Sequence, residues 1–122
     1  MNGVHRVTAV TLLVLVAGCA GFVGSGPGGQ LEATVVPSES FDVEPVPLSA
    51  VDDDRLRRVT ERAVGAYESN GTAAFVVVSV PQRDLDETRE RYERLTDRPD
   101  GESGRLVSYR GYTVWVRLLI YA

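Results

Sequence analysis

Between Ala73 and Val80 the chain reads AAFVVVSV, eight residues without a charge, entered from Asn70-Gly71 and stopped by Pro81. A run this short, rich in β-branched valine and closed by proline, is a strand rather than a helix. Apolar residues on both of its faces predict a central strand, buried from both sides. The rest of the fold has to be arranged around it.

Upstream, Leu31 to Val36 (LEATVV) alternates and reads as a strand ended by Pro37. Phe41-Asp42-Val43 reads as a short strand, and Pro45 and Pro47 keep the following backbone extended. Ser49 to Asn70 is the clearest helix. Ser49 with Asp52 has the spacing of a capping box, with Asp in place of the usual Glu. Asp52, Asp53 and Asp54 fall where the helix dipole favours negative charge. Leu56, Val59, Ala63, Val64 and Tyr67 recur at helical spacing, and Asn70-Gly71 supplies the stop. A second helix is expected from Asp84 to about Asp97, with Leu85, Thr88, Tyr92 and Leu95 as a thin apolar stripe. Its remaining positions are charged, with Glu87–Arg91 and Glu90–Arg94 at the favourable i,i+4 spacing.

Pro99 to Gly104 (PDGESG) is a loop. Arg105–Tyr109 and Tyr112–Tyr121 then read as two strands joined by Arg110-Gly111 in a tight hairpin. On the last strand Tyr112, Val114, Val116, Leu118 and Ile120 share one face, expected to meet the helices. Thr113, Trp115, Arg117, Leu119 and Tyr121 share the other, which is mixed in character. The order strand, helix, strand, helix, hairpin gives an α+β fold: a small, mostly antiparallel sheet with two helices on one face and a C-terminal β-hairpin.

The N-terminus has a different pattern. His5 and Arg6 precede an apolar stretch from Val7 to Val16, followed by Ala17-Gly18-Cys19. The stretch is about ten residues long, whereas a membrane-spanning helix needs about 20, so it fits a cleaved leader. A short apolar leader closing on small residues and a cysteine resembles a lipoprotein signal with its lipobox. The resemblance implies that residues 1–18 are a signal peptide and that Cys19 carries a lipid. The domain would then sit outside the cytoplasm, anchored to the outer face of the cell membrane. Many haloarchaeal lipoproteins use a twin-arginine leader, and this one has Arg6 alone. A single acyl chain binds membranes only marginally, so stable anchoring implies a two-chain lipid on Cys19. Five of the eleven residues in Ala20–Gln30 (AGFVGSGPGGQ) are glycine. Residues 19–30 therefore read as the lipidated cysteine and a flexible tether of roughly 18 Å root-mean-square reach, and residues 31–122 as one domain.

All 13 basic residues are arginine, against 17 acids. This bias resembles proteins of extreme halophiles, and it also suits a GC-rich genome. With the lipobox, the helix after Pro47-Leu48-Ser49 and the hairpin Tyr109-Arg110-Gly111-Tyr112-Thr-Val-Trp-Val, the chain resembles small uncharacterised haloarchaeal lipoproteins. No activity is implied by that resemblance. The acidic balance argues against nucleic acid as a partner, because phosphate binding needs a basic patch.

The only cysteine is Cys19 and the only histidine is His5, in the leader. A mature chain without histidine cannot build a Ser–His–Asp or Cys–His centre, and no catalytic residue, metal site or cofactor is assigned. Asp52-Asp53-Asp54 are spread about 100° apart around a helix and read as a helix terminus. Asp84/Asp86 and Glu90/Glu93 are interleaved with arginines and read as a solvated face. Asn70-Gly71-Thr72 is an N-glycosylation sequon that also works as a helix stop. The best binding candidate is the aromatic row Tyr109, Trp115 and Tyr121 with Arg117 between, since Tyr, Trp and Arg dominate interfaces. Against it stands Trp115 as simple core filling. The expected function is a lipid-anchored, non-catalytic module that binds or scaffolds, with a surface protein or glycan as partner. An accessory subunit of a membrane complex and a carboxylate-based enzyme acting on surface polymers are the alternatives.

Overall fold

A computed structural model describes residues 27–37, 41–99 and 103–121. The expected signal peptide, residues 1–18, and Cys19 lie outside the described residues. The chain runs β1 (Pro27–Val36), β2 (Val46–Pro47), α1 (Asp54–Asn70), β3 (Val76–Pro81), α2 (Leu85–Glu93), β4 (Thr96–Asp97), β5 (Arg105–Tyr109) and β6 (Tyr112–Ile120). The sheet order is β2-β5-β6-β1-β3, with β4 also on β5. Only the β2–β5 pair is parallel. The fold is α+β as expected, with both helices on one face and β5–β6 as the C-terminal hairpin.

The apolar run is not the central strand. Residues 76–81 form β3 at the sheet's edge, and Phe75 and Val77 are 51% and 47% exposed. β6 is the middle strand of the order, and β1 lies inside beside it, paired with β6 from Gly29 to Val36 and with β3 from Pro27 to Ala33. The physical reason is length: β1 and β6 are the two longest strands, and pairing them satisfies the most backbone groups. β3 then buries only its inner row, Val78 and Val80, with Val76 half-buried.

β1 also begins earlier than expected. Pro27–Gln30, read as tether, belong to the sheet. Gly28 and Gly29 are buried there, and Gly28 O accepts from Tyr121 N at 2.9 Å. A Cβ on Gly29 would lie 2.3 Å from Leu119 O, so this close approach of two strands needs glycine.

The core lies between the sheet and the helices. Leu31, Ala33, Val107, Val114 and Val116 are fully buried from the sheet side, and Leu56, Val59, Thr60 and Val64 from α1. Tyr67 at the far end of α1 meets Tyr112 edge-on, with centroids 5.4 Å apart. Leu85, Thr88, Tyr92 and Leu95 are buried, so the stripe expected of the second helix holds. Glu87–Arg91 (3.4 Å) and Glu90–Arg94 (3.2 Å) form as spaced.

Helix boundaries differ. Leu48–Ala50 make a 3₁₀ turn, and Val51 is buried in extended backbone, so α1 starts at Asp54 and not at Ser49. The cap is Asp53. Its Oδ1 accepts from Arg55 N (2.9 Å) and Leu56 N (3.0 Å), and its Oδ2 accepts from Thr88 Oγ1 at 3.3 Å. One carboxylate therefore closes α1 and joins it to α2. Asp84 makes no cap hydrogen bond and pairs with Arg55 at 2.8 Å. α2 stops at Glu93, because Thr96 and Asp97 turn to pair with Leu106 and Arg105. Gly71, at φ 76°, ends α1 as expected. In the hairpin both Arg110 (φ 52°) and Gly111 (φ 85°) are left-handed, the pattern of a type I′ turn.

Asp53→Ala is expected to lower stability by about 1–2 kcal/mol, more than the few tenths expected from breaking an exposed pair such as Glu90–Arg94. Asp53→Asn keeps an acceptor and should lose less than half of that. Urea denaturation of the three proteins checks the order, and equal losses for Asp53→Ala and a Glu90→Ala variant would contradict it.

Candidate binding face

The strand pairs determine which side chains share the helix-free face. Val77 lies beside Glu32, and Glu32 beside Arg117. Ser79, Gln30 and Leu119 form the next row toward the chain ends. Thr34, Trp115 and Leu106 form the row on the other side. No described helix lies over this face.

Three of the four expected residues are on it: Trp115, Arg117 and, just past β6, Tyr121. Tyr109 is not. The two-residue turn pairs it with Tyr112, so both point to the helix side, where Tyr112 meets Tyr67. Tyr109 is half-buried against the core cluster. The parity of the hairpin carried this in the sequence, because partners across a two-residue turn always share a face.

Trp115 is held by its own chain on several sides. Its Nε1–H donates to Ser103 O at 2.9 Å. The Arg98 guanidinium lies 4.5 Å from the ring centroid, and 5.1 Å from the ring of Phe41. Phe75 meets Trp115 edge-on at 5.6 Å. Arg117 stands 5.5 Å from Trp115 and 5.8 Å from Phe75. Each such cation–π contact contributes about 0.5–1 kcal/mol at a partly exposed site. Gly104 makes the packing feasible, since a Cβ there would lie within 2 Å of the Trp115 ring nitrogen, at φ 127°. Core filling and surface display are thus combined: the indole fastens the loops around Phe41, Arg98 and Ser103, while half of Phe75 stays uncovered.

A polar line continues from Arg117. Its Nη2 donates to Glu32 Oε1 at 2.5 Å. Gln30 Nε2 donates to Glu32 Oε2 at 2.8 Å, and Tyr121 OH to Gln30 Oε1 at 2.6 Å. The hydrogen bond from Arg117 holds the Glu32 carboxyl below the ordinary carboxylate range, against a smaller opposing push from burial. The Glu32 side chain is 15% exposed, so this ion pair is screened less than a surface one.

Sequence reasoning missed Phe75, Val77, Glu32, Gln30, Phe41 and Arg98. Phe75 and Val77 lie in an apolar run that predicts a strand buried from both sides. The others depend on strand order and register, which local pattern does not carry.

The remaining candidates are dispersed. Asn70 and Thr72 are exposed at the end of α1, where the sequon is accessible. Asp52 pairs with Arg91 at 3.1 Å, Asp53 is the helix cap, and Asp54 is exposed, so the three acids face different surroundings. Asp84 and Glu90 are each held by an arginine, Arg55 and Arg94. Among the described residues no three His, Cys, Asp or Glu side chains come together as a metal site would need. No helix among them is long and apolar enough to cross a membrane. No protein-family model matches this chain, and the searches of curated proteins and of solved structures return no match either.

Two outcomes follow. Because the Glu32 pKa is depressed in the folded state, its contribution is present above the ordinary carboxylate pKa and lost as pH falls through the folded value. The stability gap between the wild type and Glu32→Gln should therefore narrow as pH falls through and below the ordinary carboxylate range. A gap constant with pH in chemical denaturation would contradict this. Gly104→Ala should cost about 2 kcal/mol or more and shift Trp115 emission to the red, because the indole has to leave its place. Unchanged emission and melting temperature would contradict that packing.

Proposed function

We propose that this chain is a lipid-anchored, extracytoplasmic binding module, whose helix-free sheet face receives a surface protein. The observation that carries the reading is the pair of half-exposed apolar side chains, Phe75 and Val77, beside Trp115, Arg117 and Tyr121 on one face. Contiguous apolar surface flanked by Tyr, Trp and Arg is the composition of a binding patch. A protein suits this face better than a glycan. The Trp115 ring is already in contact with Arg98, Arg117 and Phe75, which leaves it less free for stacking on sugar rings.

The anchor half of the reading rests on the leader and Cys19. The domain itself begins at Pro27, so seven residues separate it from the cysteine. Fully extended, that link reaches about 28 Å. The module would stay close to the membrane surface and meet partners confined there.

Intact mass of the protein extracted from its own membranes, beside a Cys19→Ser variant, tests the anchor. The expected wild-type chain starts at Cys19 with a two-chain lipid excess, and the variant is released or left unprocessed. A wild-type chain that is soluble with residues 1–18 intact would overturn it. A photo-crosslinker at position 121 tests the face in the same cells. It should give an adduct heavier than the chain that is absent when the probe replaces Glu61, which is exposed on α1. Equal adducts at both positions, or none, would remove the binding role.

A further inference from the structure

β3 presents the longest strand edge that no other strand covers among the described residues. The far side of the sheet is different: β2 and β4, two residues each, lie along β5. Natural sheets protect a bare edge with charge, an internal proline or a bulge, because its free N–H and C=O groups recruit another strand. β3 has none of these along Val76–Val80. The stretch from Ala73 to Val80 has no charged residue, and Pro81 stands only at its end. The one irregularity in its pairing with β1, between Pro27 and Gly29, falls at that same end.

We propose that this edge pairs antiparallel with β3 of a second copy of the chain, giving a two-fold dimer with one continuous sheet. The sequence of β3 is what selects a second copy. An antiparallel two-fold lays a strand against itself, so an uncharged strand is its own complement. In either register valine faces valine or serine, and no like charges meet. An acidic chain with 17 acids to 13 arginines would otherwise repel itself, and the uncharged edge is where that repulsion is least.

The two-fold axis stands perpendicular to the sheet. Both helix layers then lie on one side and both open faces on the other. Val77, 47% exposed in one copy, comes next to the axis, and Phe75, 51% exposed, lies farther out along the same paired edge. The dimer covers apolar surface that a single copy leaves in water and doubles the width of the open face. Pairing through one strand gives an interface of modest area, the class of weak or transient complexes rather than obligate ones. The inference stands independently of the lipid anchor.

The test uses Val77→Lys with Ser79→Lys in the full chain. Both side chains are exposed on the open face, and a lysine at 77 lies beside Glu32, so the fold can accept it. In either register the pair brings lysine against lysine across the axis. Analytical ultracentrifugation in mild detergent at about 200 µM, high enough to populate a weak complex, should give twice the chain mass for the wild type. The double variant should give a single chain with unchanged circular dichroism. Hydrogen exchange on the wild type supplies a reading that needs no variant: protection of the amides in 76–80 that point away from β1 should fall at least tenfold on dilution to monomer, while those bonded to β1 keep theirs. A wild type that sediments as one chain at 200 µM overturns the proposal. So does a folded double variant that still dimerises, and so does protection of the outward amides of β3 that dilution leaves unchanged.

Discussion

The structure depends on β1 being paired on both sides. Its register with β6 runs from Gly29 to Val36, and its register with β3 from Pro27 to Ala33. Without it the hairpin β5–β6 and the strand β3 have no common neighbour, and α1 loses the strand it packs on most. Leu31 and Ala33 are fully buried at this junction. The glycines at 28 and 29 belong to the same constraint, because neighbouring backbone comes too close there for any side chain.

Once β1 lies between β6 and β3, the two faces of the sheet take separate roles. The odd-numbered residues of β1, with the matching rows of β3 and β6, meet α1 and α2 and provide the core. The even-numbered residues face outward. There Glu32 joins Arg117 of β6, and Gln30 carries the line to Tyr121. These contacts tie β1 to β6 on the side that has no helix. Trp115 fastens the loops around Phe41, Arg98 and Ser103 over the upper part of the same face. The β3 side of the face, around Phe75 and Val77, is left half open, and the proposed binding role rests on that asymmetry. The same strand that leaves the face open also leaves the sheet edge open.

The sequence carried the local structure and little of the assembly. The helical spacing of Leu56, Val59, Ala63, Val64 and Tyr67, the stop at Gly71 and the hairpin at Arg110-Gly111 are each decided by neighbours within a few residues, and all were legible. So was the alternation along β6, which separated Val114 and Val116 from Trp115 and Arg117. Strand order was not. AAFVVVSV is more apolar than LEATVV, and burial alone would place it in the centre. Backbone pairing decided otherwise, because the longer β1 can satisfy two neighbours at once. The helix caps show a similar limit. Ser49 has the right spacing, but burial of Leu48 and Val51 commits the chain to a 3₁₀ turn and moves the start of α1 to Asp54. Tyr109 was misplaced although hairpin parity contained the answer. Phe41 and Arg98 reach Trp115 from distant loops, and nothing local announces them.

Native-state hydrogen exchange under increasing denaturant tests the joining role of β1 most directly. If both flanks of the sheet depend on it, the amides of Leu31–Val35 will exchange only through global unfolding. They will then share one free energy and one denaturant dependence with Val114–Val116 of β6 and Leu56–Val64 of α1. Release of the β1 amides at low denaturant, while β6 and α1 stay protected, would show that the sheet stands without β1 and would contradict the account.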